Sequence, residues 1–317
     1  MDSSLSNMSL PDGGLLQSAG WAAVLTSEGH QAGVRSGPGF TYIYELRSSP
    51  FGPYLYIPRG PSRFAPDALS ACVADIVSWA THHRALYVRI EPSTSGALQQ
   101  LRSAFGLSIT EALYAVQPTL IGVLPLSGTF EEVLASFHEK TRYNIRLASR
   151  KGVTCEPGTM SDLEEFYQLL QATGSRKSLR THPLEHYRAI LESLPGACLR
   201  LARYQGQILA AYLMVYPSDH GSTAYYLHGG TSSSERSVMA PHALMSYCIA
   251  EAMSLGATAL DFGGMSSDPD SPWAGITRFK RGFGALEVAL PGTFDVVLQP
   301  LRYQLYRAAL SVRLRLR

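Results

Sequence analysis

The hydrophobic pattern of this chain switches between the period of a strand and the period of a helix, and it runs through that alternation twice in the same loose order. Residues 40–46 and 54–57 are short apolar runs bounded by Gly and Pro, the punctuation of strands. Leu69, Cys72, Val73, Ile76, Val77 and Ala80 then fall at helical spacing within residues 66–83. The same reasoning predicts helices at 17–25, 97–105, 129–150, 161–172, 184–194 and 241–255. It predicts strands at 87–90, 112–117, 120–124, 153–156, 197–204, 207–216, 222–228 and 259–262. Thr129, with Glu131 and Glu132 behind it, is a helix start in which carboxylates meet the positive end of the dipole. Gln205-Gly206 is the turn of a hairpin. A series of helices and strands that recurs points to two related α/β domains, and 317 residues exceed what one compact core usually holds.

Composition narrows the function classes. With 45% hydrophobic and 16% charged residues the chain is an ordinary globular protein. Its first fourteen residues are polar and Ser-rich, and no segment approaches a membrane span, so a cytoplasmic protein is expected. Cys72, Cys155, Cys198 and Cys248 are scattered and form neither a C-x-x-C pair nor a Cys/His ligand spacing, which leaves no disulfide framework and no metal site to expect. The net charge of +2 excludes a protein that is basic overall but allows local basic patches. The only lysines are Lys140, Lys151, Lys177 and Lys280; the other cations are arginines. A lysine inside a motif therefore calls for its own explanation.

Several segments resemble the FemABX family, the aminoacyl-tRNA-dependent peptidyltransferases that build interpeptide bridges in bacterial cell-wall precursors. The most specific is Lys140-Thr-Arg-Tyr-Asn-Ile-Arg146, continuing to Arg150-Lys-Gly-Val153. Tyr56-Ile-Pro-Arg-Gly-Pro61, Arg89-Ile-Glu-Pro92 and Asp261-Phe-Gly-Gly264 also match. So do Arg278-Phe-Lys-Arg-Gly-Phe-Gly284 and the run from Phe294 to Tyr303. They occur in family order over nearly the whole chain. The resemblance implies a pair of GNAT-like α/β (mixed α+β) domains. The first is expected over 1–120, completed by 292–317, on the acceptor side; the second over 121–291. It also implies an armless branch, because no long charged heptad segment is present.

The resemblance implies transfer of an amino acid from aminoacyl-tRNA to the amine of a peptide-bearing acceptor, by a monomer that needs no cofactor. Attack on the ester carbonyl creates an oxyanion, and Lys280, set on a Phe-Lys-Arg-Gly-Phe-Gly turn, is the catalytic donor expected to meet it. Glu91 stands where the family usually has Asp; it is expected either to handle the acceptor amine or to be a structural carboxylate near Arg89. Arg180 resembles an arginine that clamps an acceptor's diphosphate, a task its planar fork suits. Tyr56 and Tyr226 match tyrosines of the acceptor groove, with Tyr225 as an alternative and core packing as the competing reading. Phe279 and Trp21 complete the substrate-binding set, although the lysine that some members carry near that Trp has no counterpart here. Arg59 is expected to anchor its own turn. Arg142, Arg146 and Arg150, with Lys140 and Lys151, give one helix a basic face for tRNA phosphates or simply for water. Arg302, Arg307, Arg313, Arg315 and Arg317 read as a second basic stripe or, with more weight, as an exposed amphipathic end.

Two acceptors fit: a peptidoglycan precursor, or an intermediate of a peptide or peptidyl-nucleoside antibiotic. A third function, acyl-CoA-dependent N-acyl transfer, requires a Gly-rich turn at a helix N-terminus. The corresponding stretch, Arg236-Ser-Val-Met-Ala-Pro-His242, has no glycine, and Pro241 donates no N–H. A non-catalytic RNA-binding scaffold is disfavoured by Lys280.

Overall fold

The structure is a computed structural model, and it describes residues 14–65, 67–177, 180–218 and 221–315. The chain divides into two compact units, one made of the described residues up to Thr119 together with those from Leu290 onward, the other of Leu120–Ala289.

The first unit opens with a short 3-10 turn and helix α1 (Ala19–Ser27), capped by the Ser18 hydroxyl, which accepts from the Trp21 N–H at 3.1 Å. Strands β1 (Gln31–Gly37), β2 (Phe40–Ser49) and β3 (Gly52–Ile57) form an antiparallel meander, and β4 (Arg63–Phe64) pairs with β2. Helix α2 (Leu69–His82) buries Cys72, Val73, Ile76 and Ala80, the stripe its sequence spacing predicts, and carries the chain over to β5 (Tyr87–Ile90), parallel to β3. Helix α3 (Ser95–Phe105) and β6 (Ile109–Glu111) follow.

The second unit begins with β7 (Leu120–Pro125), α4 (Phe130–Ser136), α5 (Glu139–Lys151), β8 (Thr154–Pro157), α6 (Leu163–Lys177) and α7 (Leu184–Ser193). Next comes the meander β9 (Ala197–Tyr204), β10 (Gln207–Val215) and β11 (Thr223–Thr231). Gln205 and Gly206 join β9 to β10 with φ of 50° and 81°, the two positive values that a tight hairpin turn demands. Helix α8 (Ala240–Ser254) crosses over to β12 (Ala259–Gly264), parallel to β11, and α9 (Ala274–Gly282) leads to β13 (Leu286–Ala289). The chain then returns to the first unit as β14 (Phe294–Val297) and α10 (Pro300–Arg315).

The two sheets repeat one plan. The first has the order β1-β2-β3-β5-β14-β6 and the second β13-β7-β12-β11-β10-β9-β8. In each, a meander is followed by one parallel strand reached through a crossover helix, then by two antiparallel strands. β14 fills the place in the first sheet that β7 fills in the second. In the first unit that place is taken by the segment that returns after the second unit, in the second by the strand that opens that unit.

Three expectations change. The single helix at 129–150 is two helices, because Phe137 leaves helical geometry (ψ 150°), buries its ring against Phe283 at 5.1 Å and hands over to His138, whose Nδ1 caps α5. Residues 112–117 are no strand. Their amides go elsewhere, Ala112 and Val116 to Thr293 and Gln117 to Glu91, so the apolar spacing there reflects wrapping around a buried carboxylate. Finally, Lys280 lies in the last turn of α9, not in a loop turn; the turn comes after it, at Gly284 (φ 78°).

Candidate active site

In the second unit, α9 places Phe279 and Lys280 on adjacent faces. Lys280 is 4% exposed, and its ammonium donates to the Gly264 carbonyl at 2.6 Å. That carbonyl ends β12, where the Asp261-Phe-Gly-Gly264 motif makes its own turn: Asp261 Oδ1 accepts from the Gly263 N–H at 2.6 Å, and Gly263 has φ 71°. The Ser266 N–H donates to the Thr277 hydroxyl at 3.0 Å, tying the chain beyond the motif back to α9. Two separate sequence motifs thus meet at one buried cation. A buried ammonium that donates to a backbone carbonyl is a strong electrostatic element, because little water screens it.

The Lys140-Thr-Arg-Tyr-Asn motif supports this arrangement from below. Thr141 and Asn144 are its buried members. A Cβ on Gly282 would come within 2.6 Å of the Thr141 hydroxyl, and the His138 N–H donates to the Gly282 carbonyl at 2.9 Å, so glycine is what lets α5 meet the end of α9. Asn144 Nδ2 lies 3.2 Å from His242 Nε2. The His242 ring packs against Phe279 and Phe283 at 5.4 and 6.0 Å, and burial, aided by the Lys140 charge, pulls its pKa down to about 4. It is a neutral imidazole at ordinary pH.

Tyr226 is a core residue rather than the wall of an open groove. Its ring is buried in the second unit's core against Tyr212 and Phe262, at 4.9 and 6.4 Å, and a Cβ on Gly229 would lie 1.9 Å from its hydroxyl. Burial pushes its phenol pKa up. Tyr225 is buried as well.

Tyr56, in the first unit, is likewise interior. Its face is covered by the Arg47 guanidinium 4.3 Å from the centroid, and its hydroxyl donates to Glu91 Oε2 at 2.8 Å. Glu91 is itself 2% exposed. The Arg59 N–H reaches the same oxygen at 3.2 Å, while the Gln117 N–H (3.0 Å) and the Thr293 hydroxyl (2.9 Å) reach Oε1. A carboxylate offers about four acceptor sites, and here all four are taken. Glu91 is thus built as a clamp that gathers β3, β5 and the segments before β7 and β14, and it has no lone pair left to take a proton from an amine. Its neighbour is also not the expected one: Arg89 pairs with Asp295 at 2.8 Å. Arg59 donates to the Pro118 carbonyl at 2.9 Å and so holds its own turn. Trp21 is half-buried on α1.

Arg180 is exposed in the loop ahead of α7. The loop is fastened beside it: the His182 N–H donates to Tyr187 Oη at 3.0 Å, and His182 stacks on His186 at 4.1 Å. Both histidines lie 6.2 Å from His228, whose pKa burial lowers to about 3, with the neighbouring histidines adding to the effect. Of the basic helix face, Arg146 and Arg150 are exposed, the latter 5.9 Å from the Tyr143 ring. Arg142 is committed elsewhere. Its guanidinium donates to the Ala135 carbonyl at 2.9 Å and to the Phe137 carbonyl, closing the end of α4.

Other chemistries find little purchase. Burial raises the Cys155 and Cys198 thiols to about 11 and Cys72 to about 12, far from the thiolate a nucleophile needs. Among the described residues no group of three or more His, Cys, Asp or Glu could hold a metal ion, and no helix is long and apolar enough to cross a membrane. Helix α8 starts at Ala240 with Pro241 next, which donates no N–H, and the His242 and Ala243 N–H groups turn to the Met239 carbonyl, so the row of donors that a pyrophosphate would use is depleted.

The fold and these motifs define a protein of two GNAT-like α/β units, and comparison with known proteins places it more narrowly. The FemAB family profile matches residues 97–203 and 197–311, and the chain belongs to that family. It is 25% identical over 380 aligned positions to the lipid II:glycine glycyltransferase of Staphylococcus saprophyticus, covering 93% of this chain and 91% of the relative. The corresponding enzyme of Staphylococcus aureus strain USA300 is 25% identical over 386 positions, covering 93% and 90%. A crystal structure of FemX superposes with a TM-score of 0.84 at 23% sequence identity, covering 94% of this chain and 95% of that one. Among the described residues the longest helix is the 16-residue α10, so no long helical hairpin is present there.

Proposed function

We propose that this protein transfers an aminoacyl group from aminoacyl-tRNA to the amine of a peptide-bearing peptidoglycan precursor. The observation that carries the reading is Lys280, a buried ammonium fixed by the Gly264 carbonyl where two family motifs meet. The relatives named as lipid II:glycine glycyltransferases support the acceptor class.

The chemistry asks little of a side chain. The acceptor amine attacks the ester carbonyl of the charged tRNA; a C–N bond forms, the C–O bond to ribose breaks, and the amine's proton leaves on the ribose oxygen. The ester is activated already, so no covalent intermediate is needed. What must be stabilised is the negative charge on the tetrahedral carbon's oxygen, and a preorganised cation in a water-poor site does that. Lys280 is the residue for this role. Arg180, on its anchored and exposed loop, suits an acceptor diphosphate.

A second acceptor class, a peptidyl-nucleoside or peptide antibiotic intermediate, is favoured by one feature: no lysine occurs before Lys140, so the first unit lacks a cation of that kind near Trp21. The test is a transfer assay with a pool of radiolabelled aminoacyl-tRNAs offered to lipid II, to its UDP-linked precursor and to acceptor peptide, with acetyl-CoA as a parallel donor. Label moving from tRNA to a muropeptide supports the reading. Acetyl transfer without aminoacyl transfer would sink it.

A further inference from the structure

Helix α10 is apolar on two opposite sides. Tyr303 and Tyr306 point inward, with Leu310 packed against the same cluster, stacking on Tyr87 and the Tyr54 strand. On the other side Leu301, Leu305, Ala308 and Val312 recur at helical spacing and face solvent, with Leu301 80%, Leu305 62% and Val312 57% exposed. At about 100° per residue these four fall within one narrow stripe, diametrically opposite the tyrosines. A soluble helix normally shows water its polar face. This one shows a ridge of large aliphatics instead.

The shoulders of the ridge are cationic. Arg302 and Arg313 flank it on one side and Arg315 on the other, all exposed, and the helix contains no acidic residue. Arg302 is tied to the protein by Gln299 Oε1 at 3.1 Å and by the Phe51 carbonyl, which leaves Arg313 and Arg315 as the arginines of this helix with no such tie among the described residues. Arg307, nearer the core, is tied to Thr110 and Glu111. An aliphatic stripe between arginines is the pattern of a helix that lies in a lipid–water interface, with leucines among the acyl chains and guanidinium groups at anionic head groups.

We propose that the outer face of α10 docks the protein on an anionic lipid surface. The inference rests on the functional reading above only for its purpose: it would bring the enzyme to a precursor that is lipid-linked. The charge pattern selects this occupant over a second copy of the chain. A two-fold contact through the stripe would set arginines against arginines with no carboxylate on the helix to receive them. Nucleic acid is disfavoured too, since the exposed leucines gain nothing from phosphates.

The experiment is co-sedimentation of the full chain with vesicles of phosphatidylcholine alone or mixed with phosphatidylglycerol, without any substrate. The wild type should pellet with the mixed vesicles and stay in solution with the neutral ones. Leu301→Glu/Leu305→Glu should weaken binding at least tenfold while leaving the melting temperature and the transfer rate to a water-soluble acceptor peptide unchanged. Arg313→Gln and Arg315→Gln should each weaken it about fivefold. A wild type that ignores anionic vesicles, or a leucine variant that binds as well as the wild type, overturns the proposal. So does a dimer in solution that the leucine variant dissolves. Vesicle binding that persists where no aminoacyl transfer can be found would support the docking face and count against the functional reading alone.

Discussion

Arg89 and Asp295, 206 residues apart in the chain, face each other in the β5–β14 register and are joined by two hydrogen bonds of 2.8 and 2.9 Å. Both are essentially fully buried. Tyr303 of α10 donates to the same aspartate at 2.8 Å, and the Tyr306 hydroxyl lies 3.3 Å from Arg89. The pair therefore fastens the returning chain end, strand and helix together, into the first sheet. Removing one partner strands the other as a buried charge. Asp295→Ala is expected to cost about 3 to 5 kcal/mol of stability, read as a lower urea midpoint. A loss below about 1 kcal/mol would show that the returning segment is held by its apolar contacts alone.

Lys280 and Glu91 should fail in different ways. Lys280→Met is expected to lower the single-turnover transfer rate about 100- to 1000-fold, the usual effect of losing an oxyanion donor, with tRNA binding retained. Glu91→Gln turns an amide N–H₂ toward hydrogen-bond donors and should cost about 1 to 3 kcal/mol of stability. The rate of the folded Glu91 variant should stay within a few-fold of wild type, with an unchanged pH profile. Loss of one limb of that profile would restore Glu91 as a base.

The contrast shows what the sequence could and could not reveal. The helical period is readable where one face is buried, as in α2, because burial writes the period into the residues; β5, buried along its whole length, carries no such alternation and is marked only by its shortness. Strand β1 (Gln-Ala-Gly-Val-Arg-Ser-Gly) is not readable, because an edge strand with few apolar residues is recruited by its pairing with β2 and not by its own pattern. Lys280 stood out because lysine is scarce here, yet its helix and its carbonyl partner are tertiary facts. The tyrosines illustrate a related point: a motif records that Tyr56 and Tyr226 are required without saying why, and a buried hydroxyl on Glu91, as at Tyr56, or a ring packed in the core, as at Tyr226, accounts for tyrosine as readily as a groove does. Arg142 could not be told from Arg146 by spacing, since only the break at Phe137 brings carbonyls within its reach.

His242 predicts a pH dependence. Its pKa is about 4 in the folded chain, against about 6.5 for an unfolded histidine. Between these values the unfolded state binds a proton that the folded state refuses, so this site's contribution is complete above about pH 6.5 and is lost as pH falls toward 4. From pH 7 to pH 5 the loss from this site should be about 2 kcal/mol. His242→Gln, which keeps a partner for Asn144, should flatten that part of the stability curve. A wild-type curve level from pH 7 to pH 5, or a variant just as steep, would place the acid sensitivity elsewhere.

The exposed face of α5 makes the last prediction, and the structure divides its arginines. Arg142 is engaged with the end of α4, so Arg142→Gln should lower stability and leave tRNA affinity nearly unchanged. Arg146 and Arg150 are exposed to solvent and are the pair expected to meet phosphates. Each phosphate contact releases condensed counterions, so Arg146→Gln/Arg150→Gln should flatten the logarithmic salt dependence of aminoacyl-tRNA binding by about 1.4 to 1.8. Acceptor affinity should hold steady in that variant. Arg180→Ala should do the reverse with a diphosphate-bearing acceptor, raising its dissociation constant and sparing the tRNA. Measuring both affinities for the three variants across a salt series separates donor from acceptor surfaces. An unaltered tRNA slope in the Arg146/Arg150 variant would assign that face to solvation, and normal acceptor affinity in the Arg180 variant would point to an acceptor recognised without its diphosphate.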